Sequence, residues 1–333
     1  MRLAVLDSHA PFADRLLAGR RLCEALREHG HEAVHVGLPF AVDSAERIVD
    51  QMLAMRLLHL ERAERAIGLR FPAYLVPHEH TVLWALRTGE RALGEAGALV
   101  GGGSIGRSVR RSVFAAERTR LHAARTVYAP SAGVATGLQR RVGCSAEVLH
   151  PPPDDPGRFH CESYANGVLA LGPSWAAPQR ERVLAAVAQA HRAVRVTMAA
   201  PQAALGDLRV LADRLGVADR VEIVPQPAGE AERAQLLAPA RALFTLDPDP
   251  DGPFTIEAFH ARKGVLVLGE AGDGTLVRDG VSGRVVSSPE AAGAALDELT
   301  EDAAAAERYG AGGYSALHDG HVSWPSVVAA LTR

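Results

Sequence analysis

Two apolar runs, Ala242-Leu243-Phe244 and Val265-Leu266-Val267-Leu268, stand on either side of an acidic turn rich in Pro and Gly and a short helical segment. Apolar runs of this length bounded by turn residues read as buried strands, so the stretch is a β-loop-α-β unit. The helix is expected over 254–262, with Glu257 in its first turn. In such a unit the turn and the opening of the helix fall at the carboxyl ends of the strands, where parallel sheets bind ligands.

The same alternation runs through the chain. Strands are expected over 2–6, 33–36, 126–130, 146–149, 167–171, 195–199 and 221–224, and helices over 12–29, 132–142, 180–191, 207–216, 230–239, 289–299 and 324–331. Residues 39–86 read as helical apart from a strand near Ala66-Ile67-Gly68. The helix 107–125 is rich in Arg and is expected to present a solvated face. A chain of 333 residues exceeds the size at which one core keeps growing. The run His150-Pro151-Pro152-Pro153 can continue neither a helix nor a central strand, which makes it the expected linker between two α/β domains, 1–150 and 151–316.

Composition narrows the function. A net charge of −3 argues against nucleic acid or a membrane surface as a partner. Cys23, Cys144 and Cys161 are scattered without metal spacing, and no signal or spanning segment is seen, so a reduced, cytoplasmic protein is expected. Basic residues are Arg apart from Lys263, and Ala is abundant, a bias suggesting a GC-rich bacterial genome.

The acidic turn admits three readings. Asp247-x-Asp249-x-Asp251-Gly252 copies the opening of a calcium loop, but Ala258 stands where the bidentate Glu is required, so no metal is expected. A solvated turn before a helix dipole is the plainest reading. The third is a pair of carboxylates at a fixed spacing, Asp249 and Glu257, with seven residues between them. Gly101-Gly102-Gly103-Ser104-Ile105-Gly106 satisfies G-x-G-x-x-G, but a helix-like segment precedes it instead of the strand a dinucleotide site needs.

The pattern Asp249-x7-Glu257, with Ala258-Phe259 and Lys263-Gly264 after it, resembles the signature of family-4 retaining glycosyltransferases, with Asp in place of the first Glu. The run from Tyr128 to Asp154 resembles the same family. The resemblance implies a GT-B fold, two Rossmann-like doubly wound domains facing across a cleft, with a C-terminal helix, 317–333, crossing back onto the first domain. It implies transfer of a sugar from a nucleotide-sugar donor to a small-molecule or glycan acceptor, with no metal or other cofactor. Carried over by position, Asp249 faces the transferred sugar, and Arg87 stands where an acceptor-side His is expected. Glu257 meets the ribose, Ser131 and the loop Gly252, Pro253, Phe254 and Thr255 meet the phosphates, and Val224-Pro225 holds the base.

The chain departs from the family at three places: a Gly-Gly pair after the first strand, the acceptor-side His, and an Arg/Lys pair after residue 171. Arg15 and Arg180 flank the first and third and are expected to take over part of the diphosphate charge. The same departures leave open a non-catalytic relative that binds nucleotide or stabilises a partner. His78 and His80 lie upstream of the lost His and read as ordinary surface or capping residues.

Overall fold

The computed structural model describes residues 1–9, 17–41, 44–96, 103–165, 167–172, 175, 177–246, 252–269 and 275–333. The chain divides into two compact units, Met1–Pro151 together with Ser323–Arg333, and Pro152–Val322.

In the first unit the strands β1 (Arg2–His9), β2 (Glu32–Pro39), β3 (Arg65–Arg70), β4 (Thr81–Arg87), β5 (Thr126–Ala129) and β6 (Glu147–Val148) form one sheet in the order β2-β1-β3-β4-β5-β6. Every pairing is parallel. Parallel strands need a crossover, and α1 (Leu17–Glu28), α2 (Ala45–Leu57), α3 (Gly89–Ala96), α4 (Ser104–Ala123) and α5 (Ala132–Val142) lie along those connections. One sheet face packs Leu6, Ala66, Leu83 and Val127 with Ile48 and Met52 of α2 and Val109 and Val113 of α4. The other packs Leu3, Val5, Ile67, Leu69, Val82 and Trp84 with Leu22 and Leu26 of α1.

Two expectations change here. The segment expected to be helical up to residue 86 contains β4, because an apolar run buried on both faces has no period that separates strand from helix. Pairing with β3 and β5 decides it, and Trp84 Nε1 also donates to the Leu149 carbonyl at 2.8 Å. In α4, Arg107, Arg110, Arg111 and Arg118 are exposed as expected, but Arg120 is half-buried with its Nε donating to the Tyr74 carbonyl at 2.9 Å, and the opposite side buries Glu117, which accepts from the Tyr74 hydroxyl and, at 2.8 Å, from the Gly89 N–H.

In the second unit β7 (Val168–Ala170), β8 (Val196–Ala200), β9 (Val221–Pro225), β10 (Ala242–Leu246), β11 (Gly264–Leu268) and β12 (Gly283–Val286) give the order β12-β11-β10-β7-β8-β9, again all parallel. Side chains alternate between the faces: Val168, Ala170, Phe244 and Leu266 belong to one core and Leu169, Leu243, Val265 and Val267 to the other. The helices are α6 (Ala177–Gln189), α7 (Leu205–Arg214), α8 (Glu230–Leu237), α9 (Pro253–His260), α10 (Pro289–Glu301) and α11 (Ala303–Asp319). The last helix, α12 (Trp324–Thr332), is capped by Ser323 and belongs to the first unit, where Trp324 meets Trp84 edge-to-face. Residues 317–333 are thus not one helix, since Leu317 to Asp319 still belong to α11. No helix among the described residues is long and apolar enough to cross a membrane.

β12 and α11 are the two elements of this unit that the sequence pattern leaves out. Gly310, Gly312 and Gly313 speak against a helix by propensity. Packing explains them: a Cβ on Gly313 would stand 2.1 Å from the Phe259 ring, and one on Gly310 would stand 1.9 Å from the Arg262 carbonyl oxygen. Here glycine lets α11 lie directly against α9 and the turn that follows it. Gly313→Val is expected to cost about 1–3 kcal/mol by overpacking against Phe259, read as a lower denaturant midpoint with unchanged slope. An unchanged midpoint would mean that this close approach does not constrain the fold.

Candidate functional site

In the second unit the strand order reverses between β7 and β10, and ligands of doubly wound sheets bind outside the carboxyl ends of the strands at such a point. β7 there runs into Leu171-Gly172, and β10 ends at Leu246. Asp249 lies outside the described residues, as do Asp247, Asp251 and Arg15. The chain is described again from Gly252, the N-cap of α9, with Pro253 at the first helical position, where its missing N–H leaves no donor unpaired. The Gly252 carbonyl accepts from the N–H groups of Thr255 at 3.0 Å and Ile256 at 3.3 Å. Phe254 is half-buried and Thr255 buried.

Glu257 lies on the second turn of α9, not the first as expected, because the helix begins at Pro253. Its side chain is only 2% exposed and is gripped at both oxygens by Arg233 of α8, Nε at 2.7 Å and Nη2 at 2.6 Å. The Arg233 guanidinium also lies 5.2 Å from the Phe254 ring centroid. The sequence reading missed Arg233. The available signal was its place beside Ala234 and four residues before Leu237 on the buried face of α8, where an unpaired guanidinium is not tolerated. At the start of α8, Glu230 accepts from the N–H groups of Asp154 at 2.9 Å and Asp155 at 3.3 Å, so this helix also fixes the chain that follows Pro152.

Burial raises the Glu257 carboxyl from 4.5 to about 7, against the hydrogen bonds and charge of Arg233, which lower it; Glu230 and Asp154 add to the rise. Above that pH the group is a carboxylate with about four acceptor positions, of which Arg233 uses two.

The remaining donor-side candidates are spread over this unit. Arg180, near the start of α6, donates from Nη1 to the Trp175 carbonyl. The Trp175 ring covers Gly172, where a Cβ would stand 2.0 Å from the indole, and Gln226 Nε2 donates to the Gly172 carbonyl at 3.1 Å. Arg180 is therefore engaged with the Trp175 backbone. Val224 and Pro225 are the last residues of β9, half-buried and exposed respectively.

In the first unit Ser131 is buried as the N-cap of α5, its hydroxyl accepting from the Val134 N–H at 3.3 Å. Arg87 ends β4; its Nη2 donates to the Phe71 carbonyl at 3.0 Å and its guanidinium lies 5.4 Å from the Phe40 ring centroid. At the end of β1 is a buried carboxylate the sequence reading did not single out, Asp7, whose Oδ2 accepts from Arg70 Nη1 at 2.9 Å and lies 4.0 Å from His35 Nε2. Burial raises the Asp7 carboxyl, with Arg70 and Arg87 both pulling it down. An Asp closing an apolar strand was the only sequence signal for it. His78 sits as an ordinary turn residue, one ring nitrogen on the His80 carbonyl and the other on the Ala63 carbonyl, each at 3.0 Å. Among the described residues no three His, Cys, Asp or Glu side chains are grouped to hold a metal ion.

Since its folded value lies above its unfolded one, Glu257 contributes stability that is complete below pH 4.5 and lost as pH rises through about 7. Arg233→Met removes the arginine that grips both its oxygens and should lower stability by about 3–5 kcal/mol at pH 8 and by much less at pH 5, where the carboxyl takes up a proton. Denaturant unfolding at the two pH values checks this; an equal loss at both would show that lost packing, not an exposed charge imbalance, sets the cost.

No family profile and no curated protein sequence matches the chain. Solved structures do. Sucrose-phosphate synthase from Thermosynechococcus elongatus superposes with a TM-score of 0.76 at 15% identity, over 100% of this chain and 97% of that one. WaaG, a glycosyltransferase involved in lipopolysaccharide biosynthesis, gives 0.67 at 16% identity over 100% of both chains. HepE of Anabaena, solved in complex with UDP-glucose, gives 0.68 at 14% identity, over 100% of this chain and 98% of that one. At such identities the likeness is one of fold, and it extends over both units: this chain is a divergent protein of the GT-B glycosyltransferase fold.

Proposed function

We propose that the protein is a cytoplasmic glycosyltransferase that takes a sugar from a nucleotide-sugar donor held by its second unit and passes it, with retention, to a small-molecule or glycan acceptor taken by its first. The observation that carries this is Glu257, buried and held at both oxygens by Arg233, on the helix that opens beside the β7/β10 reversal. The whole-chain likeness to glycosyltransferases, one of them solved with UDP-glucose, supports it.

In this reading Arg233 is a positioning residue. It holds both Glu257 oxygens in place and leaves each with a free lone pair, the arrangement a ribose diol needs. The Phe254 N–H and the dipole at the start of α9 favour the diphosphate, with Gly252, Pro253 and Thr255 shaping that turn. Asp249 faces the sugar, Val224 and Pro225 the base, and Arg180 and Arg15 supply charge to the leaving phosphate. Ser131 and Arg87 act from the first unit. Retaining transfer needs no enzymic base when the leaving phosphate accepts the acceptor's proton; stabilising that phosphate is the main demand. No metal takes part, so chelation with EDTA leaves the rate unchanged, and a rate restored only by one divalent ion would overturn that part of the reading.

The decisive experiment is calorimetry with UDP, GDP, dTDP and ADP, followed by a transfer assay with the nucleotide sugar of the base that binds. Glu257→Gln should weaken the preferred nucleotide by about tenfold or more, equivalent to about 1.4 kcal/mol. Because a buried ion pair can be replaced by apolar residues with little loss of stability, the double substitution Arg233→Met, Glu257→Leu should fold and yet fail to bind nucleotide. A folded double variant with wild-type affinity would overturn the ribose assignment, and a wild-type protein that binds nucleotide but transfers nothing over a broad acceptor panel would overturn the transferase.

A further inference from the structure

Lys263 is the single lysine in a chain with 36 Lys and Arg residues, and its side chain is fully buried. It follows α9, where Arg262 adopts the left-handed conformation with φ 54° and the Lys263 N–H closes the turn on the Ala258 carbonyl at 2.8 Å. The side chain runs to the segment that leads into β7. There Nζ lies 3.0 Å from Cys161 Sγ, donates to the Ser163 carbonyl at 2.6 Å and sits 4.2 Å from the Tyr164 ring centroid. A compact ammonium, in place of a broad planar guanidinium, meets a thiol, a carbonyl and a ring face here in a chain that otherwise uses arginine.

Hydrogen bonds tie down the residues next to both partners. The Glu162 and Ser163 N–H groups donate to the Ala238 carbonyl at 2.9 and 3.3 Å, the Tyr164 hydroxyl donates to the Arg262 carbonyl at 2.7 Å, and Arg241 Nε donates to the Tyr164 carbonyl at 2.9 Å. The carbonyl bond alone would anchor the amine; the thiol is additional, and it is the reactive atom. Burial holds Lys263 below the usual lysine range, which favours the neutral, nucleophilic amine. The other two thiols are buried and pushed up, Cys23 to about 11, whereas Cys161 is partly exposed.

We propose that Cys161 and Lys263 form an oxidative modification site, in which a hydroperoxide oxidant drives closure of a covalent sulfur–nitrogen bridge. Sγ attacks the O–O bond of hydrogen peroxide; a sulfur–oxygen bond forms, the O–O bond breaks, and the leaving hydroxide departs with the thiol proton as water, giving the sulfenic acid. The Nζ lone pair then attacks that sulfur, a sulfur–nitrogen bond forms as the sulfur–oxygen bond breaks, and the hydroxyl leaves with one amine proton as a second water. Sulfur is oxidised by two electrons and the peroxide is reduced by two. The bridge ties the start of the second unit to the turn that ends α9, and a thiol reductant reopens it. It stands independently of the function proposed above.

The test is treatment of the purified full-length protein with hydrogen peroxide, followed by intact-mass measurement, peptide mapping and thermal unfolding. The expected result is a loss of two hydrogen masses, a linked peptide joining Cys161 to Lys263 that trypsin no longer cuts at Lys263, a raised Tm, and full reversal by dithiothreitol. Cys161→Ser, which keeps a hydrogen-bonding atom beside the amine, should fold and show none of these changes, so the test does not depend on a Lys263 variant that fails to fold. Accumulation of sulfinic acid at Cys161 with Lys263 still cleavable would overturn the proposal, as would the same mass change and Tm shift in Cys161→Ser.

Discussion

A parallel strand pair cannot be closed by a tight turn, and the rest of this structure depends on that constraint. Each connection must travel back along the sheet, so helices come to cover both faces, and the strands are buried on both sides. The strand order reverses at β1/β3 and β7/β10, and it is near those points that Asp7 and the start of α9 are found.

Both units solve the same electrostatic problem near those ends. A carboxylate taken out of water is costly unless paired, and each unit pairs one with an arginine from a neighbouring element: Asp7 of β1 with Arg70 of β3, and Glu257 of α9 with Arg233 of α8. The bidentate grip on Glu257 fixes orientation as well as charge, whereas Asp7 receives a single arginine hydrogen bond and keeps Oδ1 without a hydrogen-bond partner among the described residues. Glu257 is accordingly the better oriented of the two for a ligand that presents a pair of hydroxyls.

Local preference and tertiary packing disagree most in α11. Its glycines weaken the helix as an isolated segment, yet they permit contact with Phe259 and the Arg262 carbonyl that any side chain would prevent. The Arg262 turn to which α11 is pressed also aims Lys263 at Cys161, so one close approach shapes the C-terminal end of the helix that carries Glu257.

The sequence by itself determined the α/β class, most of the second unit's elements, and the position of Glu257 on a helix after an apolar strand, because short apolar runs between turn residues permit little else. It misread β4 as helical, since Thr81 to Ala85 are buried on both faces and carry no period. It left out β12 and α11, whose existence rests on pairing with β11 and on packing against α9. Only the tertiary structure decided that Glu257 meets Arg233, that Asp7 meets Arg70 and that Lys263 meets Cys161. These partners are separated in sequence by 24, 63 and 102 residues, and side-chain pairs of that kind leave no periodic trace in the chain that makes them.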